Sequence, residues 1–165
     1  MIYLKSLIKE LVSDELDSIH GMETMNSFHI SNLIKGSDKF TIAYITAALW
    51  SSNDNLEPNG GKPLDKKYSF DDLELKTLEK MIADCKDFQQ KYSELYERGG
   101  WDDNHAGHDF WLTRNGHGTG FWDRGYGQPE EIEEIGKQLT KASKSYGEYN
   151  LYLGDGKYDG LVCGG

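Results

Sequence analysis

The stretch AGHDFWLTRNGHGTGFWDRGY, residues 106–126, decides how this chain is read. It holds two Phe-Trp pairs, two Asp, two Arg, two His and five Gly, a density of chemistry that no other segment matches. Phe110-Trp111 leads to Arg114, Phe121-Trp122 runs straight into Asp123-Arg124, and a glycine-rich connector fills 115–120. Residues 109–114 and 120–124 read as two strands joined by that connector, for which Asn115-Gly116 alone would supply a hairpin turn. Side chains alternate along a strand, so Phe110, Leu112 and Arg114 share one face while Asp109, Trp111 and Thr113 take the other. With Phe110, Leu112 and Phe121 turned to the helices, the opposite face presents Trp111, Thr113, Trp122 and Arg124.

Helical periodicity surrounds this hairpin. Leu4, Leu7, Ile8, Leu11, Val12, Leu16 and Ile19 follow helical spacing up to a stop at His20-Gly21. Phe28, Ile30, Leu33 and Ile34 suggest a short helix within 22–36. Residues 40–50 are apolar nearly all round, which fits a buried helix better than a central strand. Residues 51–67 are polar and broken by Pro58, Asn59-Gly60-Gly61 and Pro63. Ser69, with Asp72 three residues on, reads as the capping box of a long helix. Leu78, Met81, Cys85, Phe88, Tyr92 and Leu95 form its core stripe, and Gly99-Gly100 ends it. Pro129 suits a first helical residue, and Glu130, Glu131, Glu133 and Glu134 suit the positive end of the helix dipole. Ile132, Ile135, Leu139, Ala142 and Tyr146 make the buried stripe of that last helix, closed by Gly147. Residues 149–153 and 157–162 read as paired strands about a Gly154-Asp155-Gly156 turn. The expected fold is α+β: a single domain over 1–165, with about four helices packed on a small antiparallel β-sheet. Residues 1–40 form its N-terminal helical extension, and 41–165 the core that contains the Gly-rich hairpin.

The connector carries more glycine than a turn requires. Gly116, Gly118 and Gly120 leave backbone N–H groups free to approach an anion, and Arg114 and Arg124 can pair with phosphate or carboxylate through two parallel bonds. Arg114, Asn115, Gly116, His117, Gly118 and Arg124 are therefore the candidate ligand-binding residues. The spacing is neither a Walker loop nor a dinucleotide fingerprint. His108, His117 and Asp123 are the candidate catalytic groups, since a histidine oriented by Asp109 or Asp123 can act as acid or base on a phosphodiester or glycosidic bond. His105, His108 and His117 could return to one point as metal ligands, but nothing sets their spacing, and no metal is assigned. The bland alternative remains open: a hairpin whose aromatics fill the core, whose Arg–Asp pairs tie strands together, and whose histidines are ordinary turn residues.

A net charge of −10 over 165 residues argues against nonspecific attraction to DNA, RNA or an anionic membrane. It permits a carboxylate surface that imitates nucleic acid and occupies a basic protein, although the charge is spread along the chain and interleaved with lysines. Asp71, Asp72, Glu130, Glu131, Glu133 and Glu134 are the candidate partner-binding residues. The longest apolar run, 40–50, is well short of the roughly 20 residues that a membrane helix needs. Lys5, Lys9 and Glu10 interrupt any signal-peptide core, and Cys85 and Cys163 lie far apart as two free thiols, so a cytoplasmic setting is expected. No cofactor is assigned.

The string HDFWLTRNGHG followed by GFWDRG resembles an uncharacterised group of short proteins from bacteriophages and bacterial mobile elements. The similarity extends to Ala43-Tyr44 and to Ala48-Leu49-Trp50-Ser51-Ser52. Fainter echoes are Pro63-Leu64-Asp65, Ala83-Asp84-Cys85, Tyr146-Gly147 and the run Leu151-Tyr152-Leu153-Gly154-Asp155, so that about 43–158 is covered. The resemblance implies a phage accessory protein acting inside a bacterial cell. Two functions of different class follow. One is a counter-defence binder that inhibits a host protein, for example in the manner of an anti-CRISPR or antirestriction protein. The other is a small enzyme or a nucleotide- or phosphate-binding protein whose site is 108–124.

Overall fold

The structure is a computed structural model that describes residues 21–54, 56 and 61–165. The helix expected over 4–19 and the breakers Pro58, Asn59 and Gly60 lie outside the described residues. Gly21, read as a helix stop, is itself helical, within a helical stretch (α1) over residues 21–35. There follow α2 (Lys39–Ser51), α3 (Leu75–Arg98), α4 (Asp103–Arg114), α5 (Phe121–Gly125), α6 (Glu130–Lys144), β1 (Leu151–Leu153) and β2 (Val162–Gly164). The α+β expectation holds broadly, but the balance is far more helical than expected, because the central hairpin is absent.

Residues 109–114 lie in α4, Gly120 is the N-cap of α5, and residues 121–124 lie in α5. The signal for α4 lies just upstream of the quoted stretch. Asp102 caps the helix, its carboxylate accepting the His105 N–H at 2.8 Å. On a helix Ala106, Gly107, Phe110, Trp111 and Arg114 fall together on one side, and all five are buried. A strand would have sent Phe110 and Trp111 to opposite faces, whereas both are essentially fully buried. Gly107 makes this packing possible, since a Cβ there would sit 2.1 Å from the carbonyl oxygen of Phe40 on α2.

α2 is apolar around most of its circumference and is buried accordingly, from Phe40 to Leu49. Its Phe40 stacks with Phe88 and Tyr96 of α3 and lies against Phe110 of α4. Phe88 also stacks on Phe110 at 4.1 Å between ring centroids, so one aromatic cluster joins three helices. α3 starts later than expected. The Ser69–Asp72 capping box exists, but it closes a single 3-10 turn over Phe70–Asp72. Extended backbone at Leu73 then interrupts, and Glu74 caps α3 by accepting the Thr77 N–H. Pro129, expected as the first helical residue, is instead the N-cap, with ψ 146°, and α6 starts at Glu130 and buries Ile135, Leu139 and Ala142. β1 and β2 pair antiparallel with Leu151 opposite Gly164 and Leu153 opposite Val162. The return strand is later than 157–162 because Gly156–Tyr158 is a 3-10 turn and Gly160 has a positive φ of 82°. Among the described residues no helix is long and apolar enough to cross a membrane.

Candidate functional site

The 106–126 stretch divides into an inward and an outward part. Arg114 belongs to the inward one: its side chain is 1% exposed. Nη1 donates to the Tyr44 hydroxyl at 2.7 Å and to Asp84 at 2.9 Å, Nε donates to the Gly147 carbonyl, and Nη2 donates to the Tyr146 carbonyl. Burial by itself would lower its pKa, but Tyr44 and Asp84 raise it overall, and the guanidinium stays charged. This cation ties α4 to α2, to α3 and to the end of α6. It has no face for a ligand, so the ligand-binding assignment of Arg114 is corrected.

Asn115 and Gly116 are withdrawn for related reasons. The Asn115 amide donates to the Trp111 carbonyl, and its oxygen accepts the Tyr149 N–H. Gly116 closes α4: its N–H reaches the Thr113 carbonyl, the His117 N–H reaches the Leu112 carbonyl at 3.0 Å, and φ is 68°. That bond pair around a left-handed residue is a helix C-cap, which explains the first glycine of the connector and removes two N–H groups from any anion nest. Gly120 has φ 154°, and a Cβ there would lie 2.2 Å from Thr113 Oγ1, the atom that accepts the Phe121 N–H. Nothing in the structure explains the second glycine, Gly118. Asp123 accepts a bond from Thr119 Oγ1 across one turn, and His117 is half-buried, with its pKa lowered by burial. Neither faces an acid–base partner among the described residues.

The outward part is built on Asp109, whose side chain is wholly buried. One carboxylate oxygen, Oδ2, accepts the Trp101 indole N–H at 3.0 Å and Arg124 Nε at 2.6 Å. The other, Oδ1, has no hydrogen-bond partner and lies 3.5 Å from His108 Nδ1, ion-pair distance if the ring is protonated. Arg124, 42% exposed, is thus fixed through Nε, while its two Nη atoms have no hydrogen-bonding partner among the described residues. His105 stands one helical turn before His108 on the same face of α4, its Nδ1 2.9 Å from Asp102. His105, His108 and Arg124 line a surface depression of about 310 Å3 whose apolar wall is Ile42, Ala43 and the α2 residue Thr46. Trp50, half exposed, sits with its ring 6.1 Å from the His108 ring. A second depression shares His105 and Arg124 and continues over Gly100 and Trp101 to Gln128 and Ile132.

Of the expected ligand-binding and catalytic side chains, then, only His108 and Arg124 meet. Trp101 and Asp102 lie just before the quoted stretch, and from sequence nothing sets the spacing of His105 to His108. The signal available was Asp102 as a helix cap, which turns His105 and His108 into neighbours one turn apart. The acidic candidates do not form one surface. Asp71 and Asp72 precede the start of α3, whereas Glu131 pairs with Arg98 at its last residue, about 36 Å away along the helix. Glu133 pairs with Lys137, and Glu134 accepts a bond from Gln138. Among the described residues no three His, Cys, Asp or Glu side chains are grouped to hold a metal ion. No family model, no curated protein and no solved structure matches this chain.

Proposed function

We propose that this protein acts by binding a partner protein, and that the recognition surface is the depression around Arg124. One observation carries the reading: an arginine held from behind by a buried carboxylate, with its Nη edge turned to solvent beside two histidines and an exposed tryptophan. Fixing Nε in advance lowers the ordering cost that a flexible surface arginine incurs on binding. Arg and Trp are also over-represented among the few residues that carry most interface energy. The resemblance to short phage proteins supports a counter-defence inhibitor of a host protein as the setting. The carboxylates that begin α6 adjoin the same surface through Gln128 and Ile132, which supports a partner of basic character around an anchoring group, as a nucleic-acid enzyme would present.

Affinity capture from a bacterial host lysate tests this. Arg124→Lys keeps a cation on Asp109 but removes the planar fork. The expected result is loss of a partner that wild type retains, with Asp71→Lys/Asp72→Lys capturing it normally. Equal capture by wild type and Arg124→Lys contradicts the reading.

A second reading, a small hydrolytic enzyme, draws on the unpartnered Asp109 Oδ1 facing His108 Nδ1, an orientation that leaves Nε2 to act as a base. It expects turnover of a model phosphodiester that disappears in His108→Ala and survives in His117→Ala.

A further inference from the structure

From the charges around the depression we infer that it is a proton-gated site for a single oxyanion, a carboxylate or a tetrahedral phosphate-type group. This rests on the recognition reading above and names the chemistry that would enter the site. Three cationic or cation-capable side chains, Arg124, His105 and His108, line one depression of a strongly acidic protein. Each is backed by a carboxylate on its far nitrogen: Arg124 Nε by Asp109 Oδ2, His108 Nδ1 by Asp109 Oδ1 and His105 Nδ1 by Asp102. With those far nitrogens turned toward carboxylates, Arg124 Nη and the two imidazole Nε2 atoms are the ones left for a ligand.

The sign of the local charge then depends on protons. The charged groups facing the histidines are Asp102 and Asp109 from α4 and Arg124 from α5, while the α2 wall of Ile42, Ala43 and Thr46 contributes none. With both rings neutral, one arginine faces two carboxylates, and each Nε2 is an acceptor that repels an anion. With both rings protonated, three cations face the same two carboxylates and each Nε2 becomes a donor. Protonated His108 also gives Asp109 Oδ1 the charged neighbour that it otherwise lacks inside a buried setting. Histidine is the side chain whose charge ordinarily depends on pH between 5 and 8, so pH is the variable that tests the gate.

Titration calorimetry and imidazole NMR with sodium sulfate and sodium formate test the inference, at about pH 5.5 and about pH 7.5 and at constant ionic strength set with chloride. Both probes keep their charge across that interval, so a change reports the protein. The expected result is saturable binding at the lower pH, with shifts confined to the rings of His105 and His108. Affinity should be weaker by about tenfold or more at the higher pH, and lost in Arg124→Lys and in His108→Gln. Preference for sulfate supports the site with a phosphate-type group, and preference for formate supports it with a carboxylate. Binding that is equal at the two pH values, or unchanged in Arg124→Lys, or absent for both ions, overturns it. If both ions fail to bind while Arg124→Lys still abolishes partner capture, the oxyanion inference falls and the recognition surface stands.

Discussion

Arg114 and Arg124 stand ten residues apart in one motif, each on an acidic side chain, yet they play opposite parts. Arg114 commits four hydrogen bonds to Tyr44, Asp84, Tyr146 and Gly147, where water does not reach. Arg124 commits Nε to Asp109 and presents its outer edge to solvent. The difference comes from what surrounds each helix face. α4 turns Arg114 into the seam between α2, α3 and the segment after α6, whereas α5 is a single short turn at the surface. A bidentate-capable residue beside a glycine loop is therefore poor evidence of a ligand until its own protein partners are known.

Removing each arginine should separate the two roles, and the largest effect is expected inside. Arg114→Ala leaves Asp84, the Tyr44 hydroxyl and two carbonyls without their shared donor, which should cost about 3–5 kcal/mol in chemical denaturation. A cost under about 1 kcal/mol would mean that the inward network is replaceable by water. Gly120→Ala comes next. It combines a backbone conformation that side chains rarely adopt with a collision against Thr113 Oγ1, and a loss of about 2 kcal/mol is expected. Arg124→Lys should change stability by no more than about 1 kcal/mol, because Asp109 keeps a cation and water reaches the guanidinium, while partner capture fails.

The smallest effect concerns pH. Burial holds the His117 pKa below the ordinary histidine value, so below about pH 6.5 the unfolded chain takes up a proton that the folded chain resists. That contribution to stability is present above this pH and is lost as pH falls. His117→Gln should therefore lose less melting temperature than wild type between about pH 6.5 and pH 5, before ordinary carboxylates titrate. Identical slopes would place His117 in solvent.

Most of the helical frame was legible in the sequence. The stripe from Leu78 to Phe88 and the apolar run within α2 are signals that packing bears out, and α6 begins one residue after Pro129. α4 reads as a strand from the two Phe-Trp pairs alone, because its cap, Asp102, lies before them and because alternation and helical spacing are hard to separate over six residues. The connector's glycines resemble a ligand loop in sequence, yet Gly116 and Gly120 answer to backbone geometry at the end of α4 and the start of α5. The buried state of Asp109 was beyond sequence reading. Charged residues are almost never fully buried unless paired, and its partners, Trp101 and Arg124, stand eight residues before and fifteen after it.

The division of one motif into an inward cation and an outward one is tested most directly by guanidinium hydrogen exchange, followed by arginine side-chain NMR in the wild-type protein. Protons on Arg114 are expected to exchange only as the fold opens, and those on Arg124 Nη at rates close to free arginine, with Nε intermediate. Fast exchange at Arg114, or protection of Arg124 Nη equal to that of Arg114, would contradict it.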